Sequence, residues 1–414
     1  MKNIFRCIII GWLFSFIVSC VPSGSNQTHP DFAWVNDSLV CKNSTELEQT
    51  DSNPRIININ QAEWPKYISL RDIADSINAI RLETPAGYEI GKIDKVMLAN
   101  DTIFVLDRRK SHKLFMFNKT GDFLGCVGSA GQGPGEYAEP TDFDVNGDTI
   151  YILDQYKSKI HKFDRQTKYI STHSLPFIAT GISVPVDTVL FFNNVDADNH
   201  HLNDLINYSV YRTNQNLEID GYVFRQEHGE YSNLWIPSNF YRNGSLTYYH
   251  PTYSPDVFTI NPDGEVNREY HIDFGKHALP EQYMLRAHQE DLQEAEDGDV
   301  YYIFTGHFFD AHNWIYFYFA KQHVVHHVFA NRSGVVLIAP NIVDDLEYNL
   351  PIGEICGVEG NTLIAALDPS QIVPGFKEAP EEIKRSRLTP KGYELCTKLD
   401  EEDNPVLFFC TMKQ

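Results

Sequence analysis

Positive charge is scarce in this chain of 414 residues: 34 Lys and Arg stand against 56 Asp and Glu, a formal net charge of −22. Such an acidic balance argues against nucleic acid as a partner. Cysteine is scarce as well, with 7 in the chain and no Cys-x-x-Cys pair among them, which excludes a zinc ribbon and a dense disulfide framework. Cys41, Cys126, Cys356, Cys396 and Cys410 read as thiols packed like small hydrophobes, a Cys396–Cys410 bridge being the alternative. There is no Gly-x-Ser-x-Gly elbow, no phosphate-binding P-loop and no His-Glu-x-x-His pair, so the sequence carries no diagnostic catalytic motif.

What is present begins at the N-terminus. Lys2 and Arg6 precede an apolar run from Ile8 to Val18, too short to span a bilayer, which takes about 20 residues. A positive start, a short apolar core and a small residue before a cysteine, Ile17-Val-Ser-Cys20, make a signal peptide that looks like a bacterial lipobox. Residues 1–19 are then removed and Cys20 carries the lipid; ordinary cleavage near Ser19 or an uncleaved anchor are the alternatives. Residues 20–54, rich in Ser, Asn, Thr and Asp, bury little and are expected to form a flexible tether.

From residue 55 onward a repeat dominates. Asp101-Thr-Ile-Phe-Val-Leu-Asp107 returns as Asp148-Thr-Ile-Tyr-Ile-Leu-Asp154, and Lys113-Leu-Phe-Met-Phe117 as Lys159-Ile-His-Lys-Phe163. A repeat of this length is a supersecondary unit. Turn signals such as Asn146-Gly147 and Asn243-Gly244 divide the chain into groups of four strands. The groups cover about 93–127, 141–174, 179–224, 239–273 and 300–339. The last, 352–411, has three strands only, and an early strand at about 76–84 is left over. Joining the two makes six groups. The second strand of each group is apolar on both faces, as in Ile103-Phe-Val-Leu106 and Ile315-Tyr-Phe-Tyr-Phe319, which fits sheets stacked face to face around a ring. The expectation is an all-β, six-bladed β-propeller of four-stranded blades over residues 55–414, its ring closed by the N-terminal strand in the C-terminal blade. Helices are expected in two insertions, at Leu279–Glu296 and Lys391–Leu399.

Several features resemble the six-bladed propeller lipoproteins of Bacteroidetes, relatives of NHL-type propellers. They are the lipobox at Cys20, Ile80-Arg-Leu-Glu-Thr84, Gly131-Gln-Gly-Pro-Gly-Glu-Tyr137, the Leu-Asp strand ends at Asp107 and Asp154, and Asp403-Asn-Pro-Val406. The resemblance covers about residues 66–414 and implies an envelope-anchored propeller, in the outer membrane and facing the periplasm or the surface. It implies no particular activity, and no catalytic residues carry over.

Propellers take ligands at one end of the central channel, where the loops between blades and between second and third strands gather. Arg108, Arg109, Lys110, Lys157 and Lys159 would meet there with His112 and Tyr156, a positive patch in an acidic chain suited to a carboxylate or an acidic sugar; solvated loop charge is the plainer reading. Tyr137, Tyr156, Trp235 and Tyr253 would add contact area. The glycines of 131–135 either present N–H groups to an anion or only make a tight turn. Asp196, Asp198 and Asp204 with His200 and His201, and separately His323, His326 and His327, are metal-ligand types at spacings that fit no known loop or helical site. The expected ligand-binding residues are therefore Arg108, Arg109, Tyr137, Tyr156 and Lys157, with no metal and no cofactor. The expected role is a binding module for a glycan, a peptide or an envelope protein. A calcium-dependent esterase, lactonase or lyase with the ion at the channel is one alternative, an assembly scaffold the other.

Overall fold

The doubly apolar segments become buried second strands, with Ile103, Val105, Ile150, Ile152, Phe191 and Phe317 all sealed from solvent. In the computed structural model, which describes residues 32–35, 40–50, 53–194, 197, 199–225, 240–280, 283, 298, 300–304 and 306–414, six sheets each contain a run of four antiparallel strands. The first is Lys95–Ala99, Thr102–Asp107, Lys113–Asn118 and Phe123–Cys126. The second is Asp142–Asn146, Thr149–Asp154, Lys159–Asp164 and Tyr169–Ser174. Gly181–Val186, Val189–Asn193, Tyr208–Asn214 and Ile219–Arg225 form the third. Phe240–Asn243, Leu246–Tyr249, Asp256–Ile260 and Val266–Asp273 form the fourth. The fifth comprises Phe308–Ala311, Trp314–Lys321, Val324–Asn331 and Val336–Ala339. In the sixth, Glu354–Glu359, Thr362–Leu367 and Val406–Met412 are completed by Ala74–Arg81, which pairs antiparallel with Val406–Met412. The leftover early strand thus lies where the strand arithmetic placed it.

Neighbouring sheets are tied through their inner strands. Asp142 of the second sheet accepts from Lys95 Nζ of the first at 2.8 Å and from Ile182 N of the third at 2.9 Å. Ser183 and Thr247 join the third to the fourth at 2.7 Å, and Asn243 Nδ2 donates to the Asp310 carbonyl of the fifth at 2.9 Å. Phe309 and Ala311 of the fifth share a core with Ile355 and Val358 of the sixth. Gly357 lies against the first sheet so closely that a Cβ there would sit 2.6 Å from the Val96 carbonyl oxygen. Only glycine allows that approach.

The Leu-Asp strand ends have a structural reason. Asp107, with no exposed surface, accepts from the N–H groups of Gly91, Lys92, Lys110 and Ser111, and so fastens two loops to the end of its strand. Asp154 does the same with Ala138 and Lys157. Asn404 of the Asp403-Asn-Pro stretch bonds Glu83, Thr84, Tyr88 and Ile90, holding the link from the sixth sheet to the first.

Three expectations need correction. Part of the segment read as a tether is built into the fold. Val40–Glu46 adds parallel to Ile219–Arg225, Gln49–Thr50 and Arg55–Asn58 add parallel to Val266–Asp273, and Glu63 bridges Leu337. The outer strands offer these segments unpaired backbone groups; Leu47 sinks into the core beside Phe191 and Val210, and Ile57 beside Val257 and Tyr270. In the fifth sheet the first strand begins at Phe308, not at Val300. In the last insertion Pro390–Thr397 is helical as expected, capped by Thr389 Oγ1 on Gly392 N, but Val373–Glu378 and Glu381–Arg387 are helices as well. Cys20, the signal segment, Asp196, Asp198, Trp235 and nearly all of Leu279–Glu296 lie outside the described residues.

Candidate functional site

Charged side chains collect where the inner strands begin. Asp94 precedes the first strand of the first sheet, His307 that of the fifth, and Glu354 opens that of the sixth. The loop after Asp107 brings Arg108 and Arg109 over the same end: Arg108 N donates to Asp94 Oδ2 at 2.9 Å, and Arg109 Nε pairs with Asp94 Oδ1 at 3.3 Å. Arg109 also faces Glu354 and Tyr318, and Lys92 stands near Asp94, Glu354 and His307.

Burial sets the protonation of this cluster. It raises the Asp94 and Glu354 carboxyls, against the pull of Arg109 and Lys92. It lowers His307 to about 4, helped by Lys92 and Arg109, and lowers His250 to about 4. His250 Nε2 lies 2.8 Å from the Ser254 carbonyl, which can only accept, so the proton is on Nε2 and the Nδ1 lone pair faces Gly306. Asp94, His250 and His307 line a cavity of about 60 Å³ with Lys95, Tyr241 and Cys356, room for about four waters. A raised carboxyl beside neutral imidazoles can exchange protons and can accept or donate hydrogen bonds to a polar ligand.

The opposite end is closed. Arg242 crosses from the fourth sheet to the second, its Nε and Nη2 both 3.1 Å from Asp144 and its Nη2 also donating to the Val145 carbonyl at 2.5 Å. Asn243 beside it binds the Asp310 and Gly360 carbonyls and accepts from Gly360 N.

The residues expected to bind a ligand divide. Arg109 belongs to the cluster. Arg108 is turned toward Glu139 and Gln155, at 3.4 and 3.5 Å. Glu139 also pairs with His112 at 3.7 Å, so acids of the chain itself answer much of the positive patch. Lys157 reaches the Gly131 carbonyl at 2.5 Å and braces the glycine loop. Tyr156 is exposed and keeps its surface. Tyr137 is a correction: it is 1% exposed, packs beside Phe143 and Phe163 and donates to the Val127 carbonyl, so it offers a ligand nothing. The glycine loop holds its own anion, since Glu136 Oε2 accepts from Gly133 N at 2.7 Å. His326 and His327 bond Val324 and Tyr316 separately. Among the described residues no group of three or more His, Cys, Asp or Glu could hold a metal ion. Lys92, Asp94, His250, His307 and Glu354 went unseen in the sequence. Their shared signal, for Asp94, His307 and Glu354, is a titratable residue at the start of an inner strand.

Residues 54–411 match the model of DUF4934, a domain of unknown function. The chain belongs to this family. No NHL family is matched, and no curated protein matches. A protein of Bacteroides fragilis NCTC 9343 described as exported is similar in structure, at a TM-score of 0.69 and 18% identity over 87% of this chain and 100% of that one. A member of the DUF4221 family from Bacteroides vulgatus aligns at 0.44, with 9% identity over 82% of this chain and 97% of that one. The virginiamycin B lyase of Staphylococcus aureus aligns at 0.38, with 11% identity over 70% and 81%. The first of these likenesses bears on the fold alone, and the sheets described above make that fold all-β. No helix among the described residues is long and apolar enough to cross a membrane.

Proposed function

We propose that this DUF4934 chain is an exported lipoprotein whose six sheets close into a six-bladed propeller and whose open channel end binds a polar ligand without transforming it. The closure is supported by inner-strand contacts that run from the first sheet to the sixth and back to the first at Gly357. The binding role rests on one observation: ionisable side chains from the first, fourth, fifth and sixth sheets converge on one end of the channel while the other end is sealed. The ligand is a glycan, a peptide or a loop of an envelope protein. A lipid on Cys20 is the only membrane attachment, at the outer membrane.

The test is a binding screen of glycans, peptides and envelope proteins against the mature chain and Arg109→Ala. Loss of the hit in the variant supports the site; a hit that survives it places binding elsewhere. Melting before and after EDTA, with calcium restored, addresses the calcium-dependent hydrolase. A bound ion at a hundredfold excess over its dissociation constant adds about 2.7 kcal/mol, and the described residues supply no set of three ligands for it. Acyl labelling lost in Cys20→Ala tests the anchor.

A further inference from the structure

We propose that the outer rim of the fifth sheet is a second site, a platform for acidic saccharides built on Trp64, Lys321, His326 and His277. It is independent of the channel end. Trp64 follows Glu63, whose N–H donates to the Val336 carbonyl at 2.8 Å and whose carbonyl accepts from Ile338 N at 2.9 Å, so the backbone beneath the indole is pinned to the sheet. The indole is nevertheless 46% exposed. It stands edge-on to His326 and Phe319, with centroids 5.6 and 6.3 Å away. Under it runs a column of near-parallel rings: His277 on Tyr302 at 4.4 Å, Tyr302 on Phe319 at 4.7 Å, and Phe319 on His326 at 5.5 Å. The column fixes the geometry around an apolar surface that water still touches.

The polar groups around that surface are set for hydroxyls and an anion. Lys321 Nζ lies 5.7 Å from the Trp64 centroid and 5.5 Å from that of Tyr302, and among the described residues no carboxylate pairs with it. The Nδ1 atoms of His326 and His277 each face a carbonyl, of Val324 and Val300, at 3.0 and 2.7 Å. A carbonyl only accepts, so both protons sit on Nδ1 and both Nε2 lone pairs are left to accept. A fixed aromatic face takes the C–H face of a sugar ring. Imidazole acceptors take its hydroxyls, and the lone ammonium takes a carboxylate or sulfate. A neutral sugar would leave Lys321 unused.

The experiment is calorimetry of the mature chain against polygalacturonate, alginate and chondroitin sulfate, with a neutral galactan and poly-glutamate as controls. The expected result is binding to an acidic saccharide at least about tenfold tighter than to the galactan, a difference worth about 1.4 kcal/mol. Trp64→Ala should lose at least about tenfold, and Lys321→Gln should erase the preference for acidic over neutral chains and flatten the salt dependence. Both variants should melt close to the parent, since the indole is half exposed and, among the described residues, Lys321 holds no carboxylate. Failure of all three acidic polymers, undiminished binding by Trp64→Ala, or equal binding of the galactan overturns the proposal. Poly-glutamate binding as tightly as the saccharides overturns the saccharide assignment.

Discussion

The two ends of the inner strands are built from the same kinds of residue and do opposite things. At the closed end Arg242 meets Asp144 in a two-pronged pair, and its Nη1 and Nη2 also donate to the Gly244 and Val145 carbonyls. At the open end Arg109 Nε lies 3.3 Å from Asp94, and its charge also acts on Glu354 and Tyr318. Glu354 is desolvated with only longer-range attraction to offset it. A buried ion pair costs least when every lone pair and proton is satisfied. Asp144 approaches that condition, accepting from Arg242 and from the Val145 and Val184 N–H groups, whereas Glu354 is held only at longer range by Lys92 and Arg109, which is why the closed end reads as structure and the open end as a site.

The contrast can be broken most heavily at the closed end. Arg242→Ala leaves the buried Asp144 carboxylate without its partner and is expected to cost about 3–5 kcal/mol, read as a fall in the denaturation midpoint with the slope unchanged. Next, Asp107→Ala removes the carboxylate that holds the loop bearing Arg109. Hydrogen bonds to a charged group are worth about 1.5–3 kcal/mol each, so stability and ligand capture should fall together; a stable variant that still binds would separate the loop from the site.

Acid sharpens the comparison. His250 and His307 are held at about 4 against an ordinary 6.5. Below 6.5 the unfolded chain takes up protons that the folded one refuses. Stability is therefore complete above about pH 6.5 and falls toward pH 4, by about 1.4 kcal/mol per unit for each histidine. Asp94 and Glu354, raised by burial, act with the opposite sign, since the folded state protonates them first as the pH drops. Glu354→Gln should thus steepen the acid loss measured by melting temperature across that range. The smallest effect is the most telling: at pH 7 the same variant should match or exceed the parent in stability, within about 1 kcal/mol, because it removes an unsatisfied charge. A large loss would show that Glu354 is structural, like Asp144.

How much of this was legible varied along the chain. The strands of the first two sheets were readable almost to the residue, because Thr102–Asp107 and Thr149–Asp154 are both apolar on two faces and both follow a polar turn; Asn100 and Asp101 take the left-handed φ of 53° and 61° that such a turn requires. The added strands Val40–Glu46 and Arg55–Asn58 were not readable, since they pair through backbone groups that every residue shares. The candidate site was only partly readable. Arg109 could be placed near it from loop position, but Tyr137 was misjudged because its ring looks alike whether it packs inward or outward. His307 and Glu354 are far apart in sequence and become neighbours of Arg109 only when sheets one, five and six come together.

Local pattern thus determined by itself which residues make strands, where they turn, that the sheets are buried on both faces, and that the early strand belongs with the last. Those are properties of side-chain period and turn chemistry, felt within a few residues. The tertiary structure decided which charges are answered and which are left over. Asp144 and Glu354 are both acids on inner strands, and only the reach of Arg242 from the fourth sheet makes one a strut, while the other is desolvated and held at longer range by Lys92 and Arg109.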